Sequence, residues 1–304
     1  MRVSVVSTLY KSSPYIVEFV ERMRLELNKL TNDYEIILVD DGSPDDSLRV
    51  ALALMDREPQ LRVIELSRNF GHHKAMMTGL EHACGDLVFL IDSDLEEPPE
   101  LLSVFNETLR DQRLNVVYGF QQSRKGKFAE RFLGWIAWQM IRLMLPIQVP
   151  KNSSTVRLMT RDYVQALIRH KESKTAIGGL WVITGFNQQG LAFHKGSRDT
   201  TSYSFGLRLF TLLDSITSFS EMPLYFVFFV GLLVLLMSAA IASWLIYRKL
   251  TGHVLEGWVS TLFSVWFLGG LAIFSIGVVG LYVSRIFIET KNRPYTIIRT
   301  IHGK

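Results

Sequence analysis

The chain has one cysteine, Cys84, among 304 residues. An intrachain disulfide is thereby excluded, and a reducing compartment suits the sequence. Cys84 itself reads as a small packing residue. No secretory leader is expected: the apolar run Val3–Leu9 is too short for a signal core, and Lys11 follows it. Basic runs interleaved with aromatics are missing, so the net charge of +4 is no argument for nucleic acid. Anionic lipid or a phosphorylated substrate accommodates that charge as well. Internal repeats and low-complexity segments are absent. Two long stretches lack any formal charge, Pro223–Tyr247 and Gly257–Ser284.

Those two stretches hold 25 and 28 residues, and about 20 suffice to cross a hydrocarbon core. With the short loop Arg248–Glu256 between them they are expected to form a transmembrane helical hairpin. Two buried helices of a soluble protein are the plainer reading, but so long a charge-free pair disfavours it. Arg285, Lys291, Arg293, Arg299 and Lys304 follow, against Glu289 alone. By the positive-inside rule the tail is cytoplasmic, and two spans bring the N-terminal domain to the same side. Arg248 and Lys249 oppose this weakly.

Residues 1–120 alternate apolar runs with helical patterns. Strands are expected at Val3–Ser7, Glu35–Val39, Leu61–Leu66, Leu87–Ile91 and Asn115–Tyr118. Helices are expected at Pro14–Leu30, Asp45–Met55, His72–Ala83 and Pro98–Arg110. Such alternation predicts a parallel α/β sheet covered on both faces. Ligands then sit at the carboxyl ends of strands. Residues 128–149 read as a further helix, either packed in the core or lying at a membrane interface through Trp135 and Trp138.

Two acidic clusters fall at predicted strand ends. In Asp92-Ser93-Asp94, two carboxylates can converge on one hard cation, and Glu96 and Glu97 lie within reach. Mg²⁺ and Mn²⁺ take oxygen ligands and are commonly completed by substrate phosphates. A lone Asp-x-Asp is otherwise a solvated loop. The second cluster is Asp40-Asp41-Gly42-Ser43. Its carboxylates can accept hydrogen bonds from ribose hydroxyls or a base imide. The plainer reading is a strand-to-helix turn capped by Ser43 or Asp45.

Taken together, VDDGSPDDS, LSRNFGHHKAMMTGLEHACGD and LIDSDLEEPPE resemble the GT-A domain of family 2 glycosyltransferases. The nearest branch is similar to dolichyl-phosphate mannose synthase and the bacterial polyprenyl-phosphate glycosyltransferases. The resemblance continues through VRLMTRDYV and LDSITSFS and covers nearly the whole chain. It implies a GT-A domain over 1–203, a juxtamembrane segment over 204–222, and two spans with a basic tail over 223–304. It implies nucleoside binding by Asp40 and Asp41, with Thr8, Tyr10, Asp92 and Ser93 completing the nucleotide-sugar site. Metal and diphosphate fall to Asp92 and Asp94, with Glu96 able to complete the metal shell. Arg124, Arg131 and Arg157 match residues that hold an acceptor phosphate.

The chain departs from that pattern in places. The usual Pro-x-x-Asn-Glu appears as Ser7-Thr8-Leu9-Tyr10-Lys11. Thr155 replaces an aspartate frequent in the family, Gln121 a basic residue, and Ser202 a lysine. A phosphate acceptor is already ionised near neutral pH and needs no general base, whereas a hydroxyl does. Loss of the aspartate is therefore compatible with a lipid phosphate. The resemblance thus implies inverting transfer from a nucleotide-sugar, by default a UDP-sugar, to polyprenyl (undecaprenyl) phosphate. Mg²⁺ or Mn²⁺ assists, on the cytoplasmic side of a bacterial inner membrane. Transfer to a hydroxyl of a lipid-linked sugar is the enzymatic alternative, and a non-catalytic membrane scaffold the alternative of another class. Homo-oligomerisation through the helices is plausible.

Overall fold

A computed structural model describes residues 1–121, 150, 152–170, 177–193, 222–251, 257–291 and 293–303. In chain order these form β1 (Val3–Leu9), α1 (Ile16–Leu30), β2 (Tyr34–Asp40), α2 (Ser47–Leu54), β3 (Leu61–Leu66), α3 (His72–His82), β4 (Leu87–Leu90) and α4 (Leu101–Asp111). They continue with β5 (Val116–Gln121), β6 (Ser153–Thr160), α5 (Arg161–Leu167), α6 (Ile177–Ile183) and β7 (Gln188–Phe193). The last are α7 (Met222–Leu250), α8 (Trp258–Thr290) and β8 (Ile298–His302). The described residues fall into two compact units: the eight strands with α1–α6, and the pair α7 and α8.

The strands make one sheet in the order β7-β5-β6-β4-β1-β2-β3-β8. Its centre is parallel, as the alternation of strands and helices predicts: β4, β1, β2 and β3 run together. The flanks are not, because β6 runs antiparallel to both β4 and β5, and β8 antiparallel to β3. The sheet is therefore mixed. β1, β2 and β4 are buried at every position, as parallel strands covered on both faces must be.

Alternate residues of each strand serve opposite faces. Val3, Val5 and Leu9 join Ile36, Leu38 and Phe89 in a core closed by Ile16, Phe19 and Met23 of α1 and Leu102 and Phe105 of α4. Each such side chain contributes about 1.5–3 kcal/mol by leaving water. On the other face α3 packs on β1 and β2. Gly79 permits that approach: a Cβ there would lie 2.4 Å from Val6 Cγ1 and 3.0 Å from Val39 Cγ2. The close seating of α3 fixes where its first residue, His72, stands.

In the second unit α7 has 29 residues and α8 has 33, and the two are in contact. Among the described residues one stretch, Phe267–Thr290, is long and apolar enough to cross a membrane, and Pro223–Val234 is a shorter apolar stretch. The helix predicted over residues 128–149 and the juxtamembrane segment up to residue 221 lie outside the described residues. Part of the basic tail, for which the sequence suggested no secondary structure, supplies β8 of the sheet.

Candidate active site

The carboxyl ends of β4, β1 and β2 lie side by side. Each is followed by a residue in the left-handed region: Leu95 at φ 61°, Lys11 at 56° and Gly42 at 62°. Such backbone is uncommon outside glycine and gathers at binding sites. At Gly42 a side chain is excluded as well, since a Cβ would sit 2.6 Å from the Arg68 carbonyl carbon and the Asn69 nitrogen. The β2 turn and the loop after β3 are therefore in backbone contact.

Asp40 and Asp41 are each only 2% exposed. Burial raises both carboxyls above the ordinary aspartate value; Ser43 opposes this at Asp40, and the Phe70 and Gly71 amides at Asp41. Asp41 Oδ1 accepts from Phe70 N at 2.7 Å and Oδ2 from Gly71 N at 3.0 Å. Asp41 thereby pins the loop that leads into α3. Each carboxylate oxygen retains a further lone pair for a ligand.

His72 opens α3 and joins strand ends that the sequence presents far apart. Its Nδ1 lies 2.9 Å from Thr8 Oγ1 and its Nε2 lies 3.3 Å from Asp92 Oδ1. Burial disfavours its charged form, but the bond to Asp92 and the charges of Asp92, Asp41 and Glu97 outweigh it, and its pKa is raised. Ser93 Oγ donates to Thr8 O at 2.9 Å, tying the Asp-Ser-Asp turn to the end of β1. Asp94 Oδ1 accepts from Glu96 N at 3.1 Å, which shapes the turn from within. Tyr10 stands exposed at the rim. Thr8, Asp41, Asp92 and Ser93 are thus one connected group, with Asp94 beside it. Among the described residues no group of three or more His, Cys, Asp or Glu side chains is gathered about a metal position.

Antiparallel β6 runs alongside β4 with Arg157 opposite Leu90, so its first residues lie beside the Asp-Ser-Asp turn. Arg157 is 1% exposed. Its guanidinium lies 3.0 Å from the Trp181 ring centroid and donates to Thr155 O and Ser154 O, each at 3.2 Å. Burial pulls it down to about 9, so it stays charged near neutrality. Glu97, also 1% exposed, accepts from Ser154 Oγ and sits in the field of Arg157. Arg157 is therefore a buried member of the β6 wall rather than an open surface cation. Arg124 and Arg131 lie outside the described residues.

Sequence reasoning missed His72 and the anchoring role of Ser93. Gly71 ahead of a histidine at a helix start was the available signal, but its partners are 64 and 20 residues away.

Residues 4–168 match the family model described as Glycosyl transferase family 2. A Mycobacterium tuberculosis (strain CDC 1551 / Oshkosh) chain, named only provisionally as a glycosyltransferase, is 50% identical over 100% of this chain and 89% of its own length. The SfII prophage-derived bactoprenol glucosyl transferase of Shigella flexneri is 30% identical over 99% of both chains. Among solved structures, glucosyl-3-phosphoglycerate synthase from Mycobacterium tuberculosis, with Mn²⁺ and UDP-glucose, aligns with a TM-score of 0.47 at 19% identity. That alignment covers 72% of this chain and 80% of the synthase. The family match and the full-length relatives agree with the acidic strand ends of an α/β sheet: the chain belongs to glycosyl transferase family 2 and is a glycosyltransferase.

Proposed function

We propose that the protein transfers one sugar, with inversion, from a nucleotide-diphosphate donor to a polyprenyl phosphate at a membrane surface. The observation that carries this reading is the placement of Asp41, Asp92 and Asp94 just beyond the carboxyl ends of adjacent central strands, with His72 joining Asp92 to Thr8. The lipid acceptor is supported by the full-length similarity to a bactoprenol glucosyl transferase. UDP is the expected nucleotide.

Asp40 and Asp41 receive the nucleoside, with Thr8 and Tyr10 along its edge. Asp92 and Asp94, with Glu96 on the same turn, are the residues that would hold a hard divalent cation: they are oxygen donors, the ligand type Mg²⁺ and Mn²⁺ take, and with so few protein ligands the remaining positions go to substrate phosphates. When bound, such a cation neutralises charge on the leaving diphosphate. His72 and Ser93 hold the Asp92–Asp94 turn in place. The acceptor's phosphate oxygen forms the new bond to the anomeric carbon as the bond to the donor diphosphate breaks, and the nucleoside diphosphate leaves. No proton need be removed, so Thr155 is no handicap. Arg157 supplies positive charge beneath the acceptor phosphate, and Arg124 and Arg131 complete its hold.

Membrane attachment through α7 and α8 has a topological argument behind it. β7 precedes the two helices, β8 follows them, and both belong to one sheet. A sheet cannot straddle a bilayer, so if the chain between them spans a membrane it does so in pairs of crossings. This supports reading α7 with the apolar Phe267–Thr290 as a hairpin.

The test uses purified full-length protein in detergent with Mn²⁺, undecaprenyl phosphate and a panel of UDP- and GDP-sugars. Mass spectrometry of the lipid is expected to find one added sugar on the phosphate. Sugar appearing only on hydroxyls of a lipid-linked saccharide would overturn the proposed acceptor.

A further inference from the structure

We propose that the C-terminal segment Tyr295–His302 is a positioning element of the donor site, acting through the loop Ser67–Gly71 and α3. This rests on reading the Asp41 and Asp92 strand ends as that site. The segment grips the start of that loop at Ser67 and, beyond the loop, the helix α3 at Thr78.

At the near end, β8 pairs with β3 up to Leu66, with a register irregularity between Glu65 and Leu66. Bulges of this kind re-aim a chain next to active sites. Ser67, the first loop residue, is then tied at both backbone groups. Its N donates to Ile297 O at 2.9 Å, and its O accepts from Arg299 Nη2 at 3.2 Å. The other arm of Arg299 meets Glu65 Oε1 at 2.7 Å. One guanidinium thus fixes the last turn of β3 and the start of the loop together, as its forked donors allow.

Beyond the loop, within α3, Thr78 Oγ1 donates to Lys74 O at 2.9 Å and lies 2.8 Å from Thr296 Oγ1. A threonine hydroxyl has one proton, so Thr296 is the donor between the two hydroxyls. Thr78 is 2% exposed, so this bond stands in a nearly dry place where its loss costs most. One turn earlier in α3, Lys74 Nζ lies 5.4 Å from the Tyr295 ring. Between these two grips lie Phe70 and Gly71, whose amides hold Asp41, and then His72, which holds Thr8 and Asp92. Tyr295 follows the end of α8 by five residues in the chain.

Full-length Thr296→Val, Thr296→Ser and Arg299→Ala proteins in detergent test the proposal by two readouts. The first is amide hydrogen exchange at Phe70 and Gly71, with β4 as an internal reference. The second is affinity for UDP in the presence of Mn²⁺. Thr296→Val is expected to speed exchange at both amides and weaken UDP by roughly two- to tenfold, the worth of one hydrogen bond. Thr296→Ser restores both, which a mere packing role for the methyl group would not produce. Arg299→Ala is expected to speed the same amides while β4 is unchanged. Unchanged exchange at Phe70 and Gly71 in Thr296→Val and Arg299→Ala overturns the proposal. A wild-type protein that binds no UDP would refute the nucleotide assignment separately, and exchange would still decide the positioning role.

Discussion

His72 Nε2 stands 3.3 Å from Asp92 Oδ1, so the first residue of α3 holds the first carboxylate of the Asp-Ser-Asp turn. The ring's other nitrogen is occupied by Thr8. A carboxylate fixed in this way is presented in one orientation, as residues behind a metal-binding group do in general.

Replacing His72 by alanine should therefore lower kcat/KM by about 10- to 100-fold, the usual cost of removing such a support. The half-saturating Mn²⁺ concentration should rise in parallel. Titrating Mn²⁺ against initial rate checks this. An unchanged Mn²⁺ requirement would mean that the contact with Asp92 is incidental.

Asp94→Ala should abolish the metal-dependent rate, with a loss of at least ~10²-fold. Excess chelator should silence the wild type to the same degree. The Asp94 variant should keep its melting temperature, because the residue is only half-buried. Full turnover in chelator would remove the metal from the mechanism.

Arg157 behaves differently because its charge is buried beside Glu97. Arg157→Ala removes the hydrogen bonds to Thr155 O and Ser154 O and the contact with the Trp181 ring, and it takes a positive charge away from the buried Glu97. The variant should melt well below the wild type. Adding Glu97→Gln should recover part of the loss, and a thermal melt of the three proteins decides. An Arg157→Ala protein that melts normally while losing acceptor affinity would mean that the side chain works from the surface.

Glu35 gives a stability prediction at the opposite end of the sheet. Burial pushes its carboxyl up, but Ser4, the Cys84 amide, Arg62 and Arg2 outweigh it, and the net shift is downward. A lowered folded pKa stabilises fully above the unfolded value of about 4.3. That contribution is lost as pH falls through the folded value. Glu35→Gln should thus melt lower than wild type at pH 7, and the gap should narrow and close as acid protonates Glu35 in the folded protein. A gap independent of pH would show that shape, not charge, is what Glu35 provides.

The first half of the fold was legible in sequence because its signals are local. β1, β2 and β4 are uninterrupted apolar runs, and α1 carries a clean buried stripe through Ile16, Phe19, Val20, Met23 and Leu27. The later strands were not. β6 carries Arg157 in its most buried stretch, which breaks the apolar signature, and Trp181, against whose ring the guanidinium lies, is on another element. β8 is five residues long, mostly exposed and basic, and looks like a solvated tail until β3 is beside it. The acidic strand ends could be read from type and position. His72 could not, because its meaning comes from two strands that meet only after folding.

β8 also sets an order of events during synthesis. Residues 298–302 leave the ribosome after both α7 and α8. Until then the outer edge of β3 carries unpaired amides and carbonyls, the kind of edge that recruits strands from other chains. The sheet is thus completed only after the apolar helices have emerged, and a nascent chain halted before Ile298 would leave the outer edge of β3 uncovered.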